Sequence, residues 1–478
     1  MVSLTFETTI KPGLQNKKSK LALVITDGVG FRNFILSDFL KYANKTFDEV
    51  VILSCLPKKI YIEHTNLRVI ELDVFEETFK TWFFRKNKEI AHLKLHQKGN
   101  LGIQDNLRTN DSKLKTSRGY ATRFIYKLTS LFHSESIIQL FQKFQNNTFA
   151  NHKITKSFSS ILEQEQFNLL FFTHQRPPYI APLVYAAQKN KLKTAAFIFS
   201  WDNLASKGRM ASNFDYYLVW SDLMKQDLLQ FYTTIKENRI KVVGTPQFVP
   251  YVMPEYKISK QDFISDFNLD ANLKTICFSC GDISTSKNDE LYIETVANAI
   301  QDKIIETVNF IVRTSPVEDP IRFNALVEKF PFIKWNFPKW IQVRANHQES
   351  WSQRIPTLED VKQLRALLEY SDLNINMLST MSLDFMLFDK SVINPVFGNK
   401  TNGLYDDQRF LGYAHIQHLV NSQSSKVVKN KIALLNAISV YLNNDEDSVN
   451  RKNFIKQQVG VSLEETNKQL VLSLNQWM

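Results

Sequence analysis

Residues 197–210 run Phe197-Ile-Phe-Ser-Trp-Asp-Asn-Leu-Ala-Ser-Lys-Gly-Arg-Met210, an apolar stretch entering a loop that carries Asp202, Asn203, Ser206, Lys207 and Arg209. A buried strand should not end in that many polar groups unless they face something, and in open α/β sheets ligands bind beyond the carboxyl ends of strands. Lys207 and Arg209 suit a phosphate, and Asp202 and Asn203 suit sugar hydroxyls; the alternative is that the last two cap a turn. Two more strand ends in the same half carry reactive groups. In Thr26-Asp-Gly-Val-Gly-Phe-Arg-Asn33, Asp27 is either a general base for a hydroxyl or the N-cap of the next helix. In Thr173-His-Gln-Arg176, His174 either moves protons near neutral pH or hydrogen-bonds within its loop. Gly28, Arg32 and Arg176 are grouped with Asp202, Asn203, Lys207 and Arg209 on one side of a cleft.

The second half of the chain offers groups for an anionic ligand. Asn374-Ile-Asn-Met-Leu-Ser-Thr-Met-Ser-Leu-Asp384 passes from strand to helix through Ser379 and Thr380. Such a helix start suits a phosphate, and Asp384, one turn on, suits a ribose diol; a capped helix without a ligand is the other reading. Gly281 and Asp282, after the strand at 275–279, allow close approach to the backbone. Arg313-Thr-Ser-Pro316 places Arg313 and Ser315 where a diphosphate could be neutralised, or a surface Arg in a turn. No metal is expected: Cys277 and Cys280 form a C-x-x-C without a second pair, and His415 and His418 lack the Glu of a metalloprotease motif. The turn at 26–33 is not a full G-x-G-x-x-G, which disfavours a dinucleotide-dependent dehydrogenase.

The elements that must hold these residues follow an αβ alternation, the pattern of parallel sheets with crossover helices. Strands are expected at 21–25, 50–54, 69–74, 169–173, 193–199, 216–219 and 240–243, then at 275–279, 308–313, 373–377 and 392–395. Helices are expected at 31–42, 134–144, 154–166, 179–189, 221–231, 290–303, 321–329, 358–370 and 381–388. The fold class is therefore α/β, with two doubly wound Rossmann-like domains facing a cleft. We place the first at residues 1–252, the second at 253–440 and a helical tail at 441–478. Residues 80–130 break the rhythm and read as a basic, loosely helical insertion.

At 478 residues, two domains are also what the length favours. Lys and Arg exceed Asp and Glu by 59 to 48, and the excess is regional: residues 80–130 hold twelve bases and three acids. A partner with negative charge is expected there. Trp82, Phe83 and Phe84, framed by Lys80, Arg85, Lys86 and Lys88, suit the headgroup region of an anionic bilayer. Aromatics turned to the core are the competing reading, and nucleic acid is disfavoured because no known module frames the segment. Three cysteines fit a reducing compartment. Neither a secretory signal nor a spanning segment is evident, so the expectation is a cytoplasmic protein, peripheral to the inner face of the plasma membrane if the insertion binds lipid.

With these residues in hand, the sequence resembles bacterial glycosyltransferases of the two-domain GT-B type. More narrowly, it resembles surface-polysaccharide transferases with a Ser-Trp-Asp-Asn-Leu-x-Ser-Lys-Gly segment, here residues 200–208. Tyr217-Leu-Val-Trp-Ser221, Val242-Val-Gly-Thr-Pro-Gln-Phe248 and Leu378-Ser-Thr-Met-Ser-Leu-Asp384 match as well. Two places depart: Arg313-Thr-Ser-Pro316 stands where relatives often carry Arg-Pro-His-Pro, and Asp384 stands for Glu. The resemblance implies a nucleotide sugar as substrate, held without metal or other cofactor, and a glycan or lipid-linked acceptor on the first domain. It also implies a terminal helix crossing back over that domain. On this reading Gly281, Asp282, Arg313, Ser315, Ser379, Thr380 and Asp384 bind the donor, and Asp27 or His174 activates the acceptor. A nucleotide-sugar 2-epimerase or polyol-phosphate transferase of the same fold, and a non-catalytic nucleotide- or glycan-binding regulator, remain alternatives.

Overall fold

The computed structural model describes residues 19–398 and 407–478. Seven parallel strands form the first sheet: β1 (Lys20–Ile25), β2 (Glu49–Ser54), β3 (Arg68–Glu71), β4 (Leu169–Phe172), β5 (Lys193–Phe197), β6 (Tyr216–Val219) and β7 (Ile240–Val242). Their order is β3-β2-β1-β4-β5-β6-β7, so the direction of winding reverses between β1 and β4. The second sheet contains β8 (Thr275–Ser279), β9 (Asn309–Arg313), β10 (Lys334–Asn336), β13 (Leu373–Ile375), β14 (Ser391–Pro395) and β15 (Lys426–Val428). It runs β10-β9-β8-β13-β14-β15 and reverses between β8 and β13. A hairpin, β11 (Trp340–Gln342) with β12 (Arg354–Pro356), lies between β10 and β13 in sequence. The central strands are apolar and buried almost throughout, as parallel strands covered on both faces must be. Two parallel-sheet α/β domains therefore face each other, as the alternation predicts.

The sequence reading differs from the structure where tertiary context decides. The single helix expected at 31–42 is two, α1 (Gly28–Phe34) and α2 (Phe39–Thr46). Ser37 interrupts it: its hydroxyl donates back to Asn33 O and accepts from Phe39 N, so the side chain competes for the backbone ladder. Residues 426–428, for which no strand is expected, form the edge strand β15. Strands β10, β11 and β12 are three residues each, too short to show a period of two.

Between β3 and β4 the chain builds five helices, α3 (Phe79–His96), α4 (Leu101–Asn110), α5 (Ser117–Leu131), α6 (Glu135–Phe149) and α7 (Lys153–Glu165). The helical excursion thus runs well past residue 130. Trp82, expected at a lipid interface, is buried, with the Arg118 guanidinium 5.4 Å from its ring. Phe83 and Phe84 are half-buried.

Several bridges hold the domains together. The terminal helix Leu463–Asn475 crosses back to the first domain, where Asn467 donates to Ser37 Oγ and Asp38 Oδ1 and Trp477 stacks on Tyr216 at 4.5 Å. Tyr256 donates its hydroxyl to Leu36 O. The segment around β11 and β12 reaches over the ends of β1 and β2, with Arg344 donating to Cys55 O and Glu71, and Arg354 O resting against Gly28.

Candidate active site

A cavity of about 480 Å³ opens between the domains at the carboxyl ends of both sheets. Arg32, Ser200, Trp201, Asp202, Ser206 and Lys207 line it from the first domain, and Gly281, Asp282, Ser315, Ser379, Thr380 and Asp384 from the second. The 200–209 loop and the 379–384 turn thus face one another, although 177 positions separate Asp202 from Ser379 in the chain.

The 379–384 turn is held by an asparagine ladder. Asn376 Oδ1 accepts from Ser379 N at 2.8 Å, from Ser379 Oγ and from Ser382 Oγ. Asn374 and Asn394, on β13 and β14, donate into neighbouring carbonyls and side chains. Leu378 is left-handed (φ 49°), which swings Ser379 and Thr380 to the cavity wall. Thr380 is the N-cap of the helix Met381–Met386 but makes no side-chain capping bond. The capping reading therefore does not account for its hydroxyl. Asp384 is buried and accepts from the Tyr251 hydroxyl. Burial raises its carboxyl to about 6, against the pull of that hydrogen bond and of the Arg32 charge.

Gly281 sits where only glycine fits, since a Cβ would lie 2.2 Å from Ser286 Oγ. Its N–H donates to Asp289, a fully buried carboxyl that burial pushes well above its ordinary range and that faces Arg322 at 3.5 Å. Arg322 also donates to Gly281 O. Asp282 spends its carboxylate on Ser284 and Thr285.

Across the cavity, Asp202 and Lys207 pair at 3.4 Å. Burial alone would raise the Asp202 carboxyl, but Lys207 and His415 hold it far below the usual range. His415 also lines the cavity, edge-on to Trp201 at 5.2 Å, and burial lowers it to about 4. The loop is braced by α4: Asn100 donates to Ala205 O and Asn106 to Ser206 O. Among the described residues no group of three or more His, Cys, Asp or Glu is placed to hold a metal.

Several expected residues lie elsewhere. Arg209 does not face the cleft: it is buried behind the loop, bidentate on Glu135 at 2.6 and 2.9 Å and stacked over Tyr232. Asn203 is buried too and accepts from Gln175. Arg313 borders a smaller adjoining cavity of about 120 Å³, and its guanidinium is committed to Asp360 and Asn336. A buried cation must be paired, and that need consumed both arginines.

Asp27 and His174 meet, but outside the interdomain cavity. His174 Nδ1 lies 2.8 Å from Asp27 Oδ2. Asp27 is at the same time the N-cap of α1, accepting from Gly30 N, so the two readings of this residue coexist. Burial would raise Asp27, yet its bonds and the His174 charge bring it below the ordinary carboxylate value. Burial lowers His174, with Asp27 pulling the other way. The pair is thus carboxylate and neutral imidazole at pH 7. Nδ1 carries the proton that it donates to Asp27, and buried Nε2 is left without a partner. Phe199 lies flat on the imidazole at 3.9 Å. Beyond the pair, a third cavity of about 560 Å³ is lined by Glu77, Trp82, Arg85, Arg118 and residues 346–349. Burial raises Glu349 there to about 7, and Arg176 opposes the rise.

Among solved structures, this chain is similar to a glycosyltransferase from Rickettsia africae ESF-5, at 12% identity over 96% of this chain and 98% of that one, with a TM-score of 0.51. The architecture is of the GT-B type. A UDP-GlcNAc 2-epimerase from Methanocaldococcus jannaschii is similar at 11% identity over 95% and 99%, with a TM-score of 0.50. So is the glycotransferase of kitacinnamycin, at 8% over 96% and 99%, with a TM-score of 0.50. No family model and no curated protein matches the sequence. At these identities the likeness is one of fold, and two chemistries share it.

Sequence reasoning missed the asparagine ladder, Tyr251, Asp289 and Arg322, and weighed His415 only as a metal ligand, not as part of the cavity wall. The ladder had a signal, since asparagine is depleted in strands and three of them fall in two strands and the turn between. Asp289 and Arg322 had none, because their contact spans 33 residues.

Proposed function

We propose that the protein transfers a glycosyl group from a nucleoside diphosphate sugar to a hydroxyl of a surface glycan or lipid-linked acceptor, at the inner face of the plasma membrane. The observation that carries this is the single cavity that joins Ser379, Thr380 and Asp384 to Arg32, Asp202 and Lys207. Its volume falls in the range of small-molecule sites. Asp384 accepts from the ribose hydroxyls. Ser379 and Thr380 meet the diphosphate, and Arg32 and Lys207 balance the charge that grows on it as the glycosidic bond breaks, so no metal is needed.

His174 takes the acceptor proton on Nε2, and Asp27 holds its tautomer and stabilises the imidazolium that forms. Arg354 rests on Gly28, next to Asp27, so drawing back the β11–β12 segment would widen the approach to the pair, with Phe199 remaining on the imidazole. Opening and closing of this kind is common where water must be kept from a reactive donor.

Melting curves with a panel of nucleoside diphosphates and nucleotide sugars test the donor site, since a ligand that favours the folded state raises the melting temperature. Each shifting nucleotide sugar is then incubated with the protein alone and with glycan acceptors. Diphosphate release that depends on acceptor supports transfer. An epimer formed without acceptor would make the protein an epimerase, and binding without turnover would make it a regulator.

A further inference from the structure

Helix α5 has two apolar faces. One, with Ile125 and Thr129, is buried, and Leu128 adds to a small separate core with Ala91, Ile138 and Phe141. The other faces solvent: Tyr120 and Phe124, one turn apart, and Leu131, two turns further on, are 58%, 56% and 79% exposed. Leu114 before the helix and Phe132 after it are exposed as well. The stripe continues sideways through ring contacts, Phe124 to Phe83 at 6.4 Å, Phe83 to Phe84 at 5.6 Å and Phe84 to exposed Phe144 at 5.3 Å. Three helices thus share one uncovered apolar surface, where soluble proteins seldom leave a contiguous patch.

The charge around it has one sign. Residues 112–134 contain Lys113, Lys115, Arg118, Arg123 and Lys127 and no Asp or Glu. Among the described residues none of these five takes part in an ion pair: Arg118 lies over Trp82, and Arg123 lies over Tyr120 and donates to the carbonyls of Ser112 and Leu114. Rings and leucines flanked by unpaired cations match the boundary of a bilayer, apolar below and anionic at the surface. No helix among the described residues is long and apolar enough to cross a membrane, so the contact is one of lying on the surface.

We propose that α5, with the adjoining rings of α3 and α6, docks this protein on a bilayer containing anionic lipid. The proposal deepens the reading of the acceptor as lipid-linked and rests on it for its purpose. Helix α4 of the same excursion braces the 200–209 loop through Asn100 and Asn106, so docking holds the cavity near lipid-borne substrates.

The test is sedimentation of the full chain with phosphatidylcholine vesicles and with vesicles that also contain phosphatidylglycerol. Binding is expected only to the latter, falling as salt rises. Y120S/F124S/L131S should reduce it by roughly tenfold or more, and K113E/K127E should reduce it as well. Both variants change exposed side chains, so melting temperature and the nucleotide-induced shift should stay as in the parent. Retained nucleotide shift with no vesicle binding by the parent overturns the docking surface and leaves the donor site standing. Undiminished binding by the serine variant, parent self-association that the serine variant abolishes, or preference for nucleic acid over anionic vesicles overturns it too.

Discussion

His174 Nδ1 sits 2.8 Å from Asp27 Oδ2, joining the carboxyl ends of β4 and β1, two strands that are neighbours in the sheet but 147 residues apart in the chain. The contact keeps Asp27 charged, and burial, against the pull of Asp27, keeps His174 neutral, the state in which Nε2 can accept a proton. His174→Ala should cut turnover by about 10²-fold or more while leaving the nucleotide-induced melting shift unchanged. Asp27→Asn keeps the N-cap acceptor but not the carboxylate, so its melting temperature should fall at neutral pH and approach the parent's in acid, while activity falls. Since burial lowers the His174 pKa, parent activity should be flat at neutral pH and decline only on acidification. The folded pKa values of both residues lie below their ordinary values. Their stabilisation is therefore present at neutral pH. It is lost first as pH falls below the ordinary histidine value, then as it falls through the carboxylate range. A pH–rate profile and melting curves across that range check this; unchanged turnover in both variants would remove the pair from catalysis.

Gly28 marks the place where the domains touch. A Cβ there would lie 1.5 Å from Arg354 O, a backbone atom that can yield only if the β11–β12 segment moves. Gly28→Ala should lower stability by about 1–3 kcal/mol, or else hold the domains apart and enlarge the particle in solution scattering. Either result should come with impaired turnover, because closure over the donor is disturbed. A variant with parental melting, scattering and activity would show that this contact is dispensable.

The central strands were readable from the sequence because parallel strands buried on both faces give short apolar runs bounded by polar or turn residues, as at 169–172 and 275–279. Residues at strand ends were found for the same reason, so Asp27, His174, Ser379 and Thr380 could be named before their neighbours were known. What those residues would pair with was not readable. Arg209 stands in a stretch rich in polar groups, and nothing local tells that Glu135, 74 residues earlier, will claim it. Arg313 was claimed in the same way by Asp360. The excursion at 79–165 hid its apolar surface, because α5 carries apolar residues on two faces and its sequence pattern is correspondingly blurred.

The Arg209–Glu135 pair is open to a direct test of structural against ligand-binding use. Arg209→Ala strands a carboxylate and removes a cation from a buried site, a loss of about 3 kcal/mol or more. Melting temperature should fall sharply, and whatever protein stays folded should retain its nucleotide-induced shift. Arg209→Lys should recover only part of the stability, because a single ammonium cannot reproduce two parallel bonds. Loss of nucleotide binding without loss of stability would return Arg209 to the cleft.

Asp384 carries the clearest link between stability and ligand. Burial raises its folded pKa to about 6 from an ordinary value of 3.8. A carboxyl with a raised folded pKa stabilises the fold fully below its unfolded value, and that contribution is lost as pH climbs through the folded one. Asp384→Asn cannot ionise, so the melting temperature of the variant should gain on the parent between about pH 4 and pH 7 and then run parallel to it. The Tyr251 hydroxyl still finds an acceptor in the amide oxygen. Ribose hydroxyls, however, lose a charged acceptor and face an N–H donor, which should weaken nucleotide binding roughly tenfold. In the parent, affinity should therefore rise with pH through about 6, and in the variant this step should be absent. Equal pH dependence of nucleotide affinity in the two proteins would mean that the ribose lies elsewhere in the cavity and that the burial of Asp384 serves the Tyr251 contact alone.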